Sequence, residues 1–481
     1  MATDERSISS LRDEKDTSED VGRPHVLNDA ILDIGMGKYQ WALFVVTGFG
    51  WLADNLWPIV TGLILPPVVQ EFQFQGPFLK LGQNIGLLVG AVFWGVGVRH
   101  LGSQVRLDHL FCVFALAAGG SPNYVALSSF AAVWSIGVGG NLPVDSAIFL
   151  EFLPKNHQYL LTVLSIWWAF GQLLGSLVAW PLIGNYSCET NHVPCPRSAN
   201  QGWRYFLFAM GGLMMLLWAI RFFIFKLYES PKYLMGRGRD TEAVEVVHKA
   251  GGEKENQDSL MDTSVRAAIR RNLRELSGDH VRPLFANAKL AWSTSLIITL
   301  WALIGLAFPL YNSFVTYYLS TRGADFGDGS VYITYRNQTI LSVIGVPGAL
   351  LAGYLVELPL LGRRGTLSIS TVLTGVFILA STTARTSDAL LGWNCAYSFT
   401  SNVMYGVLYA LTPELFPTKD RGTGNALAAA ANRVFGVMAP IIALYADLTT
   451  SVPMFVSGAL FLLAGIISLL LPFESRGKAA L

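Results

Sequence analysis

Twelve long apolar runs constrain the fold of this chain more than any other feature of its sequence. They fall at about 40–64, 81–98, 107–120, 124–150, 159–183, 204–225, 292–319, 331–357, 366–384, 389–411, 423–446 and 452–472. A hydrocarbon core of about 30 Å needs about 20 residues in a helix that rises 1.5 Å per residue. The runs therefore predict an all-α integral membrane protein with twelve transmembrane helices.

Composition agrees with a protein that lies in a lipid bilayer. The chain is 52% hydrophobic and only 14% charged, and its mean hydropathy is +0.43. A soluble chain carries about 25% charged residues, so this one lacks the polar residues to cover a surface that faces water. The net charge of +1 argues against a nucleic-acid partner. We find no zinc-ligand spacing and no nucleophile motif, so the sequence predicts no cofactor, no metal site and no enzyme activity.

The two halves of the chain carry related motifs. Glu151-Phe152-Leu153-Pro154 follows the fourth apolar run, and Glu414-Leu415-Phe416-Pro417 follows the tenth. We therefore predict two pseudo-symmetric six-helix bundles, at 39–225 and 291–473, joined by a polar linker at 226–290. A charged tail at 1–38, predicted to be disordered, and a short tail at 474–481 complete the chain. Parallel repeats of this kind are typical of secondary transporters, which hold a small molecule between the halves near the membrane midplane.

Basic residues predict the orientation of the chain in the membrane. With the N-terminus inside, the inner loops hold the basic linker and the following residues: Arg99, Arg106, Lys155, Arg363, Arg364, Lys419, Arg421, Arg476 and Lys478. The positive-inside rule then places both termini and the linker in the cytosol. Cys188 and Cys195 share a loop on the opposite side, where a disulfide is plausible in an oxidising compartment. The sequon Asn185-Tyr186-Ser187 adjoins that loop and predicts glycosylation there.

Several motifs at matching positions carry a family resemblance. They are Gly48-Phe49-Gly50-Trp51-Leu52-Ala53-Asp54-Asn55, Gly139-Gly140-Asn141-Leu142-Pro143-Val144-Asp145, Glu229-Ser230-Pro231-Lys232-Tyr233-Leu234, Pro413-Glu414-Leu415-Phe416-Pro417 and Arg421-Gly422-Thr423-Gly424. Over about 38–475 the chain resembles a major facilitator superfamily protein. Within that superfamily it is similar to the fungal members of the synaptic-vesicle-2-related and sugar-transporter-like group. The resemblance implies a monomeric, multi-pass transporter of a small molecule, in the plasma membrane.

Two departures from the family pattern bear on substrate and gating. Sugar porters carry a Gln pair and an Asn in span 7, where this chain has Ile304-Gly305-Leu306-Ala307-Phe308-Pro309, so a hexose becomes the second-ranked substrate. The loop between spans 2 and 3 has lost the family's charges, since Arg99, Ser103 and Gln104 stand at those positions.

The resemblance also implies a cytoplasmic gate made of charge pairs. Its candidate residues are Arg99, Glu151, Glu357, Arg363, Arg364, Glu414 and Arg421. Glu414 retains basic partners, whereas Glu151 has lost its usual ones. Either the lock of the N-terminal half is weakened, or a neighbouring basic residue (Arg99, Arg106 or Lys155) has taken over.

Charges inside the spans are the functional candidates, because an ionisable group in the membrane is costly. Asp54 and Arg433 are expected near the midplane, roughly 20 and 15 Å from the inner helix ends. A carboxylate in a cavity of low dielectric constant is able to exchange protons near neutral pH, so Asp54 is the first candidate for proton coupling and Asp145 the second. Arg433 stays protonated and pairs well with an anion. The alternative is that Asp54 and Arg433 pair with each other and only hold the halves together.

Polar and aromatic residues at similar depth extend the candidate substrate site. They are Asn55, Trp167, Trp168, Gln172, Asn402, Tyr405 and Asn432. Aromatic walls suit an aromatic substrate, although tryptophan in a membrane helix often only packs. The sequence thus favours a proton-coupled carrier of a small organic anion. Facilitated sugar or polyol transport, metabolite export and a non-transporting membrane sensor remain alternatives.

Overall fold

The structure is a computed structural model that describes most of the chain. The described residues are 35–97, 108–139, 159–189, 195–225, 281–316, 318–319, 330–416, 421–445 and 450–472, with isolated positions between 145 and 157 and between 234 and 249. Regular structure in these residues is entirely helical. The predicted N-terminal tail, most of the linker and the C-terminal tail lie outside the described residues.

Within the described residues, a helix occupies each of the twelve predicted runs. The helices are α1 Lys38–Phe72, α2 Pro77–Gly97, α3 Asp108–Ala118, α4 Tyr124–Val138, α5 Tyr159–Tyr186, α6 Gly202–Ala219, α7 Ala288–Asn312, α8 Val331–Leu355, α9 Gly362–Ser381, α10 Ser387–Glu414, α11 Arg421–Tyr445 and α12 Val452–Ser468. A single turn residue, Leu164, interrupts α5. A π-helical turn at Ile220–Ile224 continues α6.

The lengths and composition of these helices confirm an all-α membrane protein. Among the described residues, six helices are long and apolar enough to cross a membrane: α1, α5, α7, α8, α9 and α11. Shorter apolar helices lie in α2, α4 and α12. Helix α10 is long but less apolar, because polar side chains such as Asn394, Ser398 and Asn402 line its buried face. Polar residues that face the interior of a bundle are tolerated because they avoid lipid.

The chain divides into two compact units. One unit comprises Met1–Val46, Ile148–Gln158 and Phe225–Gly278. In its described residues the ring of Tyr39 packs against Phe152 at 5.4 Å and Phe225 at 5.5 Å. The other unit comprises Thr47–Ala147, Tyr159–Ile224 and Asp279–Leu481, and everything that follows concerns it alone.

Within each half of the larger unit, small residues let neighbouring helices approach closely. Gly82, Gly86 and Gly90 of α2 lie directly against the carbonyl oxygens of α4. Gly375 of α9 and Gly458 of α12 make the corresponding contact in the second half. Close glycine contacts are the usual means by which membrane helices gain packing energy, because lipid supplies no hydrophobic drive between them. Each half is therefore tightly packed internally.

Contacts between the two halves run mainly through α2 with α11 and through α5 with α8. In the second pair, the hydroxyls of Ser176 and Ser342 lie 2.8 Å apart. Thr339 also donates a hydrogen bond of 3.1 Å to the Ser176 carbonyl. These polar contacts add to apolar packing between the halves, since one cluster of buried side chains includes Trp134 and Phe314.

Two further hydrogen bonds join the halves toward the end of the bundle that carries the Cys188–Cys195 loop, which we call the disulfide end. The Tyr335 hydroxyl of α8 donates to the Leu63 carbonyl of α1, and Asn84 of α2 donates to the Gly436 carbonyl of α11 over 2.7 Å. Pro67 and Pro440 stand four residues after these carbonyls. Since proline has no N–H, each proline frees a carbonyl that a regular helix would use internally. The freed carbonyls then accept from the opposite half.

These two bonds should control closure at the disulfide end. Tyr335→Phe combined with Asn84→Leu leaves both carbonyls without a donor, at a cost of about 1 kcal/mol per lost bond. We expect maleimide labelling of a cysteine placed at the buried cavity residue Ser401 to accelerate severalfold in nanodiscs. Free Cys112 and Cys395 are first replaced by alanine.

Pro67→Ala provides the matched control for this experiment. It restores an N–H for the Leu63 carbonyl, so the effect of Tyr335→Phe should shrink in that background. Labelling that does not change in the double variant, or a Tyr335→Phe effect that is independent of Pro67, would show that other contacts close this end.

Candidate functional site

An ion pair joins the two halves at the centre of the bundle. Asp54 and Arg433 lie at the midpoints of α1 and α11, which are 35 and 25 residues long. The Arg433 Nη2 donates to Asp54 Oδ1 over 2.8 Å, and the side chains are 15% and 5% exposed. Asp54 and Arg433 therefore pair with each other in the structure, which was one of the two alternatives from the sequence. Neither charge is tolerated alone at this depth, since burying an unpaired ion raises the free energy of the folded protein by on the order of several kcal/mol.

Aromatic rings surround this pair on the side of α5 and α10. Trp168 lies near the Asp54 carboxylate, although its N–H makes no hydrogen bond of good geometry. The Trp168 ring packs on Tyr405 at 4.8 Å and on Phe308 at 5.7 Å. The Asn55 amide donates to the Trp168 carbonyl over 2.7 Å and so ties α5 to α1. Trp168 therefore separates the ion pair from a cavity on the other side of its ring.

That space is a small cavity between α5 of the first half and α7, α8 and α10 of the second. Its lining includes Trp168, Gln172, Phe308, Asn312, Gln338 and Asn402. None of the described residues that line it is Asp, Glu, Lys, Arg or His. The cavity thus combines aromatic faces with neutral amides, while the charges lie beside it at Asp54 and Arg433. Such a site places ring faces and neutral amides next to a fixed cation.

The remaining candidates for substrate binding lie around this cavity. Among the described residues, Asn55, Tyr405 and Asn432 are not part of its lining. Asn55 is engaged with the α5 backbone, and Tyr405 forms the second layer behind Trp168. The Asn432 side chain lies against Gly305 of α7, where the close approach requires glycine. Trp167 packs beside Gly48 of α1 instead.

A second buried ion pair lies one turn below Asp54 along α1. Both terminal nitrogens of the Arg221 guanidinium donate to the Asp145 carboxylate, over 2.7 and 3.3 Å. Asp145 is 2% exposed. Its carboxylate lies so close to Gly50 that a Cβ there would be 1.6 Å from Oδ2. Gly50 is therefore the residue that lets Asp145 reach the surface of α1.

The described gating candidates lie in the second half. Arg363 of α9 and Glu414 of α10 form a buried ion pair of 2.8 Å. Arg364 donates to the Leu471 carbonyl over 3.1 Å, and Glu357 is exposed. Arg99 and Glu151 lie outside the described residues, as does the side chain of Arg421.

The predicted loop chemistry falls at the disulfide end. Cys188 and Cys195 are bonded to each other, and the Cys195 N–H donates to the Gln70 carbonyl at the end of α1. The side chain of Asn185, the sequon residue, donates to the Pro181 carbonyl over 2.9 Å and remains exposed.

Comparison with known proteins identifies the family. Residues 82–474 match the family model described as sugar (and other) transporter. A protein of Ceriporiopsis subvermispora named MFS siderochrome iron transporter 1 is 56% identical, over 95% of this chain and 92% of its own. The chain belongs to this transporter family, within the major facilitator superfamily. It is accordingly a multi-pass membrane protein and a secondary transporter of a small molecule.

More distant relatives agree with this assignment. The Niacin transporter NiaP of Acinetobacter baylyi is 27% identical over 86% of this chain and 88% of its own. The structure of the proton:xylose symporter XylE superposes with a TM-score of 0.71, covering 92% of this chain and 98% of that chain at 18% identity. At that identity the likeness shows the shared fold alone. The expected major facilitator fold is confirmed.

Three features of the site were missed in the sequence. Arg221 lies within span 6, and an ionisable residue within a span is a functional candidate, as it was for Asp54. Gln338 lies within span 8 and was not among the candidates, although a glutamine within a span is itself a signal. The aromatic partner Phe308 carried no signal, because apolar rings are common throughout the spans.

The contact between Gly50 and Asp145 generates a prediction. Gly50→Ala places a methyl group into the Asp145 carboxylate, so the Asp145–Arg221 pair must move apart. Breaking a buried pair costs about 3–5 kcal/mol, and we expect a clear loss of thermal stability in detergent, measured by fluorescence-detected size exclusion.

Gly212→Ala is the matched control, since nothing lies within 4 Å of the added Cβ. Its stability should stay near that of the wild type. Equal stability of the two variants would mean that Asp145 does not need the close approach to α1.

Proposed function

We propose that this protein is a proton-coupled carrier of a small organic anion with an aromatic ring. The observation that supports the proposal is the buried Asp54–Arg433 pair, which adjoins a cavity with an aromatic wall. We also propose that it works as a monomer in the plasma membrane. The distribution of basic residues supports placing both termini in the cytosol.

The proposed mechanism exchanges one partner of Arg433 for another. Arg433 stays charged, so it requires an anion at all times, and leaving it unpaired costs about 3–5 kcal/mol. In the resting state Asp54 supplies that anion. When a proton neutralises Asp54, the guanidinium becomes available for the carboxylate of the substrate, which its planar fork suits well. Proton and anion therefore bind together and are released together.

The exchange also alters the contact between the halves. The ion pair connects α1 to α11, and its replacement by a substrate contact removes a direct bond between the two bundles. Rocking of one bundle against the other around a central site is how transporters of this architecture change access.

Asp54→Asn tests the proton-coupling role. The amide cannot titrate, so we expect accumulation driven by a pH gradient to be lost in proteoliposomes. Counterflow exchange should persist, because Arg433 still binds the anion. The exposed Asp388 provides the control Asp388→Asn, which should accumulate substrate normally. Undiminished accumulation by Asp54→Asn would move the coupling role to another group, with Asp145 the next candidate.

Substitutions of Arg433 test anion recognition. Arg433→Lys keeps the charge but loses the bidentate fork, so affinity for a carboxylate should fall about tenfold or more. Arg433→Ala should lose binding, and it should no longer discriminate against a carboxamide analogue of the substrate. Arg385→Ala changes an exposed residue and serves as the control. Normal binding by Arg433→Ala would leave Arg433 as a structural partner of Asp54.

A second candidate function follows from the relative that is 56% identical. That protein is named a siderochrome iron transporter, so transport of a siderochrome with its iron is the alternative substrate class. Radioactive iron supplied as a siderochrome complex to the same vesicles separates the two. Uptake of that complex without uptake of aromatic carboxylates would favour siderochrome transport. A sugar flux that does not depend on a pH gradient would instead favour facilitated sugar transport.

A further inference from the structure

The cavity beside the ion pair contains buried amide oxygens without hydrogen-bond partners. Gln338 and Asn402 both line it, and they are only 2% and 3% exposed. Within the described residues, Gln338 Oε1 and Asn402 Oδ1 each lack a hydrogen-bond donor. A buried carbonyl oxygen that accepts nothing has lost its water without compensation, and each such case calls for an explanation.

The two serine hydroxyls of the same cavity are already committed to backbone carbonyls. Ser398 donates to the Leu341 carbonyl over 2.7 Å, and Ser401 donates to the Ser398 carbonyl over 3.1 Å. These serines therefore do not supply the missing protons. Tyr397 also lines the cavity, and its hydroxyl likewise has no hydrogen-bond partner among the described residues. The two amide oxygens therefore stay unpaired although an O–H lies in the same cavity.

The orientation of the Asn402 amide is held by its own contacts. Its Nδ2 donates to the Ser398 carbonyl over 2.8 Å. The same nitrogen lies against Gly345 of α8, where an added Cβ would be 2.6 Å away. Because the nitrogen side is occupied in this way, the oxygen is the atom left without a partner.

We propose that Gln338 and Asn402 form an acceptor pole that selects substrates carrying a neutral hydrogen-bond donor, an O–H or N–H, on the ring that lies against Trp168. The proposal rests on the proposed function, in which Arg433 holds the carboxylate of the same molecule. A neutral donor is favoured over an ammonium group because no carboxylate is among the described residues that line the cavity. A buried cation without a counter-charge is costly.

Asn394 also has an unpaired amide oxygen but lies away from the cavity, so the proposal depends on the position of Gln338 and Asn402 in the cavity. It lies two turns earlier in α10, donates from Nδ2 to the Leu390 carbonyl over 2.7 Å and also has an unpaired Oδ1. It does not line the cavity. Asn394 is therefore a matched control for Asn402.

Binding of small benzoates to the purified full-length protein in nanodiscs tests the proposal. Isothermal titration calorimetry compares 3- and 4-hydroxybenzoate with 3- and 4-fluorobenzoate, which are similar in size but donate no hydrogen bond. A site built to accept a hydrogen bond should discriminate strongly against an analogue that lacks the donor. We expect at least one hydroxybenzoate to bind about tenfold more tightly than its fluoro partner.

Variants then assign the preference to the two amides. Gln338→Met and Asn402→Leu should each bring the hydroxyl-to-fluoro ratio close to one, whereas Asn394→Leu should leave it unchanged. Gln338→Glu guards against variants that merely fold poorly, because it should acquire affinity for 4-(aminomethyl)benzoate, whose ammonium group the wild type disfavours. A purely structural role for Gln338 would not produce that gain.

The outcomes separate this proposal from the proposed function. Benzoates that bind in an Arg433-dependent way without any preference for the hydroxyl overturn the acceptor pole and leave the anion carrier standing. A preference for 4-hydroxybenzamide over 4-fluorobenzamide supports the acceptor pole. If carboxylates also bind no more tightly than the matching amides, the proposal of an anion carrier is overturned. Failure of every hydroxylated probe to bind overturns the pole.

Discussion

The buried pair of Asp54 and Arg433 is the interaction on which the rest of the structure depends. Each residue stands at the midpoint of a long helix, and the helices belong to opposite halves. A lone charge at that depth is strongly disfavoured, so the two halves are joined wherever both groups are ionised. The pair shares Trp168 with the adjoining cavity, which brings charge and aromatic surface to one place. We propose that this pair, which joins the halves, links ion movement to a change of access.

Helix α1 organises this region because different residues along it meet different partners. Gly50 admits the Asp145 carboxylate, Asp54 binds Arg433, and Pro67 frees the Leu63 carbonyl for Tyr335. Contacts within each half are made by glycines packed against backbone, which resist sliding. Contacts between the halves include individual hydrogen bonds and one ion pair, beside the packing of the Trp168 ring on Phe308 and Tyr405. The hydrogen bonds and the ion pair are the contacts that the proposed mechanism exchanges.

The sequence predicted the architecture well and the site only in outline. The twelve helices followed from apolar length, because a membrane helix needs a long apolar run whatever its neighbours are. Asp54 and Arg433 were recognised at similar depths, since the rise per residue converts position into height. Height does not give direction around the helix axis, so the choice between mutual pairing and a substrate partner stayed open. The role of Asn55 was missed for the same reason, because its amide turns toward the α5 backbone rather than the cavity. Arg99 and Glu151, on which the gating argument rested, lie outside the described residues.

The central claim is that a substrate carboxylate replaces Asp54 at Arg433 while Asp54 takes up a proton. Proton uptake on binding tests it most directly. 4-Hydroxybenzoate is added to the purified protein in weakly buffered solution near neutral pH, and the protons taken up are measured with a pH indicator. By linkage, the account predicts uptake of about one proton per anion bound, and no uptake by Asp54→Asn. Binding of the anion to the wild type without any proton uptake would contradict the account.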